Sequence, residues 1–329
     1  MTSRTSLRQQ ITEDQFATDI VLSFFVAALK SYKFDSLLKP FPPLFSKEDG
    51  EKDMKSLEKT VEEIPALRHL AANGIHTGEC ALGLLQWVLD RGSFSIKTVK
   101  SSQFEEIKKQ TGDTSPATNP DFVFEVIRSE ADDAKFEETR RQRKTMFAYH
   151  GSRLENFHSI LHNGLASHMN KISVFGEGTY LSSELSVCLL YSPMGLGWEK
   201  SCIGHKLSCV AVCEIIDDAS VKCQVKEDGN NEQTNKKRAY AANSEGGDVP
   251  EKYYIVQNND MLRIKYLLVY VEKASQQKRE TQSRRWHNTW LFQHRFVLMI
   301  VLYVLLLALV ALYNSRIFQS YLRKFWKYK

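Results

Sequence analysis

One segment constrains this chain more than any other. Phe296 to Tyr313 (FVLMIVLYVLLLALVALY) is a run of eighteen residues with no charged or amide side chain. As a helix it extends about 27 Å at 1.5 Å per residue. A helix that is apolar on every face has no side to show water, so it belongs in hydrocarbon rather than on a globular surface. Its length suits the thinner bilayer of the endoplasmic reticulum (ER). Basic residues flank both ends, and Trp286, Trp290, Tyr313, Tyr321 and Trp326 fall where an interfacial aromatic belt is expected. The expectation is a single transmembrane anchor at 296–313, a short lumenal tail at 314–329 and a cytosolic body.

Charge follows the same division. The chain carries +5, but residues 276–329 hold ten Lys and Arg against one Glu, or 10 − 1 = +9, which leaves 5 − 9 = −4 on the other 275 residues. A mildly acidic body argues against a nucleic-acid partner. The apolar run Ile20–Leu29 lacks the flanks of a signal peptide, because Glu13, Asp14 and Asp19 precede it and Lys30 and Lys33 follow it. No N-x-[ST] sequon occurs. The six cysteines form no C-x-x-C pair, so reduced thiols and no metal site are expected.

Residues 1–92 read as a helical domain. Phe16, Ile20, Phe24 and Ala28 share one face of a buried helix, Leu57–Asn73 is a second helix that Pro65 kinks or splits, and Cys80–Leu89 is a third. From Ser93 the pattern changes. Strands are expected at Phe94–Val99, Phe122–Ile127, Thr145–Tyr149, Ser208–Ile216, Tyr253–Gln257 and Leu262–Val271. Helices are expected from a Ser102-x-x-Glu105 capping box to Gln110, at Glu155–His162 and at Ser183–Tyr191. Asp217–Pro250 is polar and rich in Gly and Asn, which reads as a mobile surface insertion. Strands and helices mix without a βαβ rhythm, so the fold class is α+β. The second domain covers 93–272, and 273–295 is a basic linker.

Chemistry concentrates in residues 147–182, FAYHGSRLENFHSILHNGLASHMNKISVFGEGTYLS. Gly151 directly follows a strand-end histidine, where a missing Cβ lets a ligand approach the backbone. The lone G-x-G at Gly176 and Gly178 lacks a third glycine and a βαβ setting, so a dinucleotide-binding Rossmann unit is excluded.

Three separated blocks carry a resemblance: His150-Gly151-Ser152; Phe175-Gly176-x-Gly178-x-Tyr180 with Tyr191; and Tyr253-Tyr254-Ile255-Val256. In this order they resemble the nicotinamide-binding signature of the poly(ADP-ribose) polymerase (PARP) superfamily, the diphtheria-toxin-like ADP-ribosyltransferases, over roughly residues 94–272. With the apolar run added, the chain is similar to the tail-anchored member of that family, found in the ER and nuclear envelope. The resemblance implies an ADP-ribosyltransferase domain with antiparallel sheets and NAD as co-substrate, without a metal. It implies that Gly151 pairs with the nicotinamide carboxamide beside Ser152, that His150 bonds the adenine-side ribose, and that Tyr180 and Tyr191 sandwich the ring. Cys188 stands where many relatives use a serine toward the carboxamide, and a thiol is a weak donor. Tyr253 stands where polymerising relatives carry a glutamate. A phenol is a poor base at neutral pH, so the catalytic set His150, Tyr180 and Tyr253 implies mono-ADP-ribosylation. Acceptor proteins, including the chain itself and ER membrane stress-sensor kinases, are the partners this implies. A non-catalytic NAD or ADP-ribose binding module on a membrane tether is the alternative.

Overall fold

The computed structural model describes residues 2–90, 92, 94–165, 174–224, 238–239, 247–273 and 295–314. It divides into two units, Met1–Val271 and Glu272–Lys329.

The first unit begins with helices α1 (Thr2–Glu13) and α2 (Gln15–Leu29). Asp14 separates them and caps α2, its side chain accepting from the Ala17 N–H at 2.9 Å. The same carboxylate accepts from the Thr98 N–H and hydroxyl, both at 2.7 Å, so one residue starts the helix and ties it to the first strand. Helix α2 is apolar nearly all round and is buried on two sides. Ile20, Phe24 and Ala27 enter the core of the sheet, while Leu22, Phe25, Val26 and Leu29 enter a helical core. The helical core is completed by α3 (Phe34–Leu37), α4 (Met54–Glu63), α5 (Leu67–Asn73) and α6 (Glu79–Val88). Pro65 lies between α4 and α5, which are therefore two helices rather than one kinked helix. Fully buried on α2, Asp19 accepts from the Cys202 N–H at 2.9 Å and from the Ser201 hydroxyl, and burial pushes its carboxyl above the usual range.

The remainder is one antiparallel sheet. Its strands are β1 (Phe94–Val99), β2 (Phe122–Arg128), β3 (Thr145–Gly151), β4 (Thr179–Ser182), β5 (Gly195–Leu196), β6 (Lys206–Ile216), β7 (Tyr253–Val256) and β8 (Leu262–Val271). The order is β1-β2-β8-β6-β3-β4-β7, with β5 also paired to β6. Helix α2 and α9 (Phe157–Asn163) cover one face; α7 (Gln103–Thr111) and α10 (Leu185–Leu190) cover the other. That double cover explains why β6 is buried at every position after Lys206 and reads as a continuous apolar run rather than an alternating one.

Several expectations need correction. Phe16 is 41% exposed, with its ring against that of Phe122, so it stands at the rim of the sheet core and is not buried with Ile20 and Phe24. Ser102 has helical backbone angles and makes no capping bond with its side chain, so the capping box does not form. Helix α8 (Glu130–Arg140) was not expected: it buries Phe136 alone, and its one clear sequence signal is the Ser129 cap on the Asp132 N–H. The insertion at Asp217–Pro250 is anchored at both ends, with Val221, Cys223 and Val249 buried and Lys222 bridged to Ile255. Residues 225–237 and 240–246 within it lie outside the described residues, as do most of the linker 273–295 and the tail after Asn314.

The second unit contributes helix α11 (Arg295–Asn314), twenty residues long, so the apolar run is helical. Among the described residues no helix is long and apolar enough to cross a membrane; the side chains described in α11 cover only part of the run.

His158 and His162 belong to the contact between helical core and sheet. His158 Nε2 donates to the Pro40 carbonyl (2.9 Å) and the ring packs edge-on to Phe25, while His162 packs edge-on to Phe94. Burial is the main cause holding both imidazoles down to about 4, against an ordinary 6.5. The unfolded chain then binds protons that the fold refuses. Stability should be full above pH 6.5 and fall as pH drops from 6.5 toward 4. Melting temperatures measured across that window should decline with acid; a flat profile would show that neither histidine stays neutral in the fold.

Candidate active site

Strands β3 and β4 meet at one residue pair, Tyr149 with Ser182. A continued ladder would set Gly151 opposite Tyr180, since 149 + 182 = 151 + 180, but the strands part instead. The Tyr180 carbonyl goes to His150 Nδ1 at 2.9 Å. Into the gap comes Cys188 from α10, whose thiol donates to the Tyr149 carbonyl at 3.2 Å. Because Tyr149 turns its carbonyl to this side, Gly151, two residues on, turns its peptide groups to it as well.

Gly151 is required by space. A Cβ there would lie 2.1 Å from the Cys188 carbonyl oxygen and 3.0 Å from the Tyr191 Cβ. The end of β3 thus runs flush against the last turn of α10, and no other residue fits.

The remaining residues named from the sequence gather around this point. Tyr191 caps α10, its N–H donating to the Cys188 carbonyl at 3.0 Å, and its side chain is 60% exposed. Tyr253 opens β7 opposite Ser182 and has the Phe175 ring 6.4 Å away. Tyr180 pairs with Ile255 of the same strand. Its hydroxyl donates to the Gly176 carbonyl at 2.7 Å and accepts from the Phe175 N–H at 2.9 Å, which fixes the Phe175–Gly178 turn over β4. Ser152 accepts from Asn156 Nδ2 at 2.8 Å, and its N–H donates to Ser192 Oγ at 3.1 Å. Glu251 sits in the exposed turn before β7.

Protonation follows from burial. His150 is buried and its pKa lies below the ordinary value, chiefly by desolvation, so it is neutral at pH 7. A carbonyl only accepts, so Nδ1 carries the proton toward Tyr180 and Nε2 keeps a lone pair. Burial pushes the Cys188 thiol up to about 12 and raises the phenols of Tyr180 and Tyr253. The site therefore offers a neutral imidazole acceptor, peptide groups in a strand gap and tyrosine faces, with no thiolate and no phenolate.

Sequence reading missed the roles of Ser192 and Asn156, which hold the Ser152 corner, and of the Tyr149 carbonyl, which takes the thiol proton. No composition or spacing signal marks these contacts, since they span the join of β3 and α10.

Two outcomes follow. Gly151→Ala should destabilise the protein by about 1–3 kcal/mol through overpacking, whereas Gly78→Ala, with nothing within 4 Å, should lose only the glycine preference at the start of α6, under about 1 kcal/mol in urea unfolding. At pH 7.5 iodoacetamide should modify exposed Cys80 and spare Cys188 in the native protein; modification of both at similar rates, read by mass spectrometry, would contradict the buried-thiol assignment.

Comparison with known proteins gives the family. Residues 101–272 match the poly(ADP-ribose) polymerase catalytic domain, and residues 9–89 match the ARTD15 N-terminal domain. The chain is 44% identical over 322 residues to mouse protein mono-ADP-ribosyltransferase PARP16, covering 98% of each. It is 45% identical over 315 residues to the human protein of that name, covering 95% of each. Mouse protein mono-ADP-ribosyltransferase PARP8 matches at 25% over 207 residues, 55% of this chain and 23% of that one. A catalytic-domain match over half of the chain and near-full-length relatives above 40% identity place this chain in the poly(ADP-ribose) polymerase family.

Proposed function

We propose that this protein is an NAD-dependent mono-ADP-ribosyltransferase whose body is held at the cytosolic face of the ER and nuclear envelope by the Phe296–Tyr313 run. The observation that carries the catalytic reading is the parting of β3 and β4 at Gly151, between His150, Tyr180 and Cys188, in a chain that matches the catalytic domain over 101–272. On this reading the Gly151 peptide receives the nicotinamide carboxamide in the gap. His150 Nε2 accepts a ribose hydroxyl, and Tyr180 and Tyr191 hold the ring by area and quadrupole geometry. Fixing the carboxamide while the glycosidic bond opens to an oxocarbenium-like ribose is catalysis by positioning. Tyr253, whose phenol burial keeps protonated at neutral pH, does not serve as the base that chain extension needs. Single ADP-ribose units follow.

The names of the near-full-length relatives support the mono-transferase reading. The apolar run, six free cysteines and the family resemblance support the membrane setting. Stress-sensor kinases of the ER membrane are proposed acceptors on the resemblance alone.

Two features favour a second reading. The Cys188 thiol is committed to Tyr149, and Tyr253 replaces a carboxylate, which would suit a non-catalytic NAD-binding module. Incubation with isotope-labelled NAD separates the two. The expected outcome is covalent label on the protein in discrete single-unit mass increments. His150→Ala and Tyr180→Ala should each lower labelling by about 100-fold, the scale at which lost positioning acts. Thermal stabilisation by NAD without label transfer would establish the binding module instead.

A further inference from the structure

We propose that the segment Leu190–Leu196 is a lipid-facing lip that seats the catalytic body on a bilayer surface. It carries four large apolar side chains in the open: Leu190 (81% exposed), Tyr191 (60%), Met194 (37%) and Leu196 (63%). Single exposed apolar residues are ordinary, but a cluster on one short segment marks a surface that meets something apolar. These side chains cannot fold away, because the backbone between them is pinned. Ser192 is buried, its hydroxyl accepts from the Ser152 N–H at 3.1 Å and its carbonyl accepts from Ser208 Oγ at 2.6 Å.

Strand register identifies the occupant. Gly195 pairs with Leu207, and Leu207 pairs with Val271. Gly195, Leu207 and Val271 thus stand abreast on three neighbouring strands, about 10 Å from first to last at the usual strand spacing. Val271 is the last residue of β8 and of the first unit. The chain therefore leaves the body for the apolar run at the sheet end that carries the lip. Glu272 to Arg295 is 295 − 271 = 24 residues, a reach of no more than about 80 Å. This stretch holds Lys273, Lys278, Arg279, Arg284, Arg285 and Arg295 against Glu272 and Glu280, which suits anionic headgroups. A tether starting beside a small apolar patch raises the local concentration of lipid, so the patch needs little intrinsic affinity. An acceptor polypeptide would also cover an apolar lip, but it gives no reason for the lip to share the exit end of the sheet. Tyr191 belongs to both lip and site, so the active site opens at the membrane surface and favours acceptors held there.

This inference rests on the membrane reading above, and its test distinguishes the two. Full-length protein carrying Cys80→Ala is reconstituted in proteoliposomes of zwitterionic and anionic phospholipid. An environment-sensitive fluorophore is placed through Leu196→Cys in the lip, Tyr303→Cys in the apolar run, or Lys109→Cys on exposed α7 as the control. Nitroxide-bearing lipid should quench the Leu196 and Tyr303 reporters several-fold more than the Lys109 reporter. Quenching at Tyr303 with Leu196 no different from Lys109 would overturn the lip and leave the anchor standing; no quenching at Tyr303 would overturn the anchor and the lip together. In a second arm, Leu190→Glu with Leu196→Glu should lower transfer to a bilayer-tethered acceptor peptide several-fold, with NAD hydrolysis in detergent unchanged. An equal loss toward the same peptide free in solution would make the lip a polypeptide site and overturn the lipid assignment.

Discussion

Helix α2 is the element on which both halves of the body depend. A helix apolar nearly all round must be enclosed on every side, and α2 achieves this by serving two cores at once. Each large side chain so buried contributes about 1.5–3 kcal/mol. Removing the helical layer would strip Ile20 and Phe24 from the sheet, and removing the sheet would strip the same helix from its other support. The N-terminal helices are thus part of the architecture of the sheet. Asp14 and Asp19 make the arrangement specific: one carboxylate caps α2 and holds β1, the other holds the Ser201–Cys202 backbone at the entry to β6.

The site is made from what the sheet gives up. A regular ladder would satisfy Gly151 with Tyr180 and leave no room for a ligand amide. Two side chains prevent that closure, His150 by taking the Tyr180 carbonyl and Cys188 by taking the Tyr149 carbonyl. Glycine then lets the strand end lie against α10 without a Cβ in the carbonyl of Cys188. Backbone polar groups are expensive to leave unpaired in a buried setting. A sheet that holds such a gap open with side chains has its binding face organised before any ligand arrives.

Much of this was legible in the sequence because it rests on local rules. Pro65 divides two helices, and strands β3, β6 and β8 lie where apolar runs place them. The order His150-Gly151-Ser152, Tyr180, Tyr191, Tyr253 named residues that the fold brings together. What was not legible depends on tertiary contact. Helix α8 has a highly charged sequence and is held by one buried phenylalanine and by Arg263 reaching Asp133 and Glu137 from β8, which no local pattern announces. The ends of the Asp217–Pro250 insertion read as loop because their few apolar residues, Val221, Cys223 and Val249, show no periodicity; they are fixed by packing and by Arg238 reaching Asp217. Ser102 met the pattern of a capping box and failed because its own backbone is already helical.

The protonation states limit how such a site assists bond cleavage. His150 is neutral, and Cys188, Tyr180 and Tyr253 keep their protons at pH 7. None of these four brings a negative charge to a ribose that becomes cationic as its nicotinamide leaves. On the proposed reading, stabilisation then comes from oriented dipoles and from the geometry that holds the carboxamide, which act most strongly where water is excluded. Such a site places its demands on shape. The close contact between Gly151 and α10, and the ties from Tyr180 to the Phe175–Gly176 backbone, supply that shape from groups that never change charge. The tyrosine at 253 fits the same scheme: on the proposed reading it adds a neutral phenol and no base, so the chemistry favoured is the transfer of one unit rather than the activation of a second.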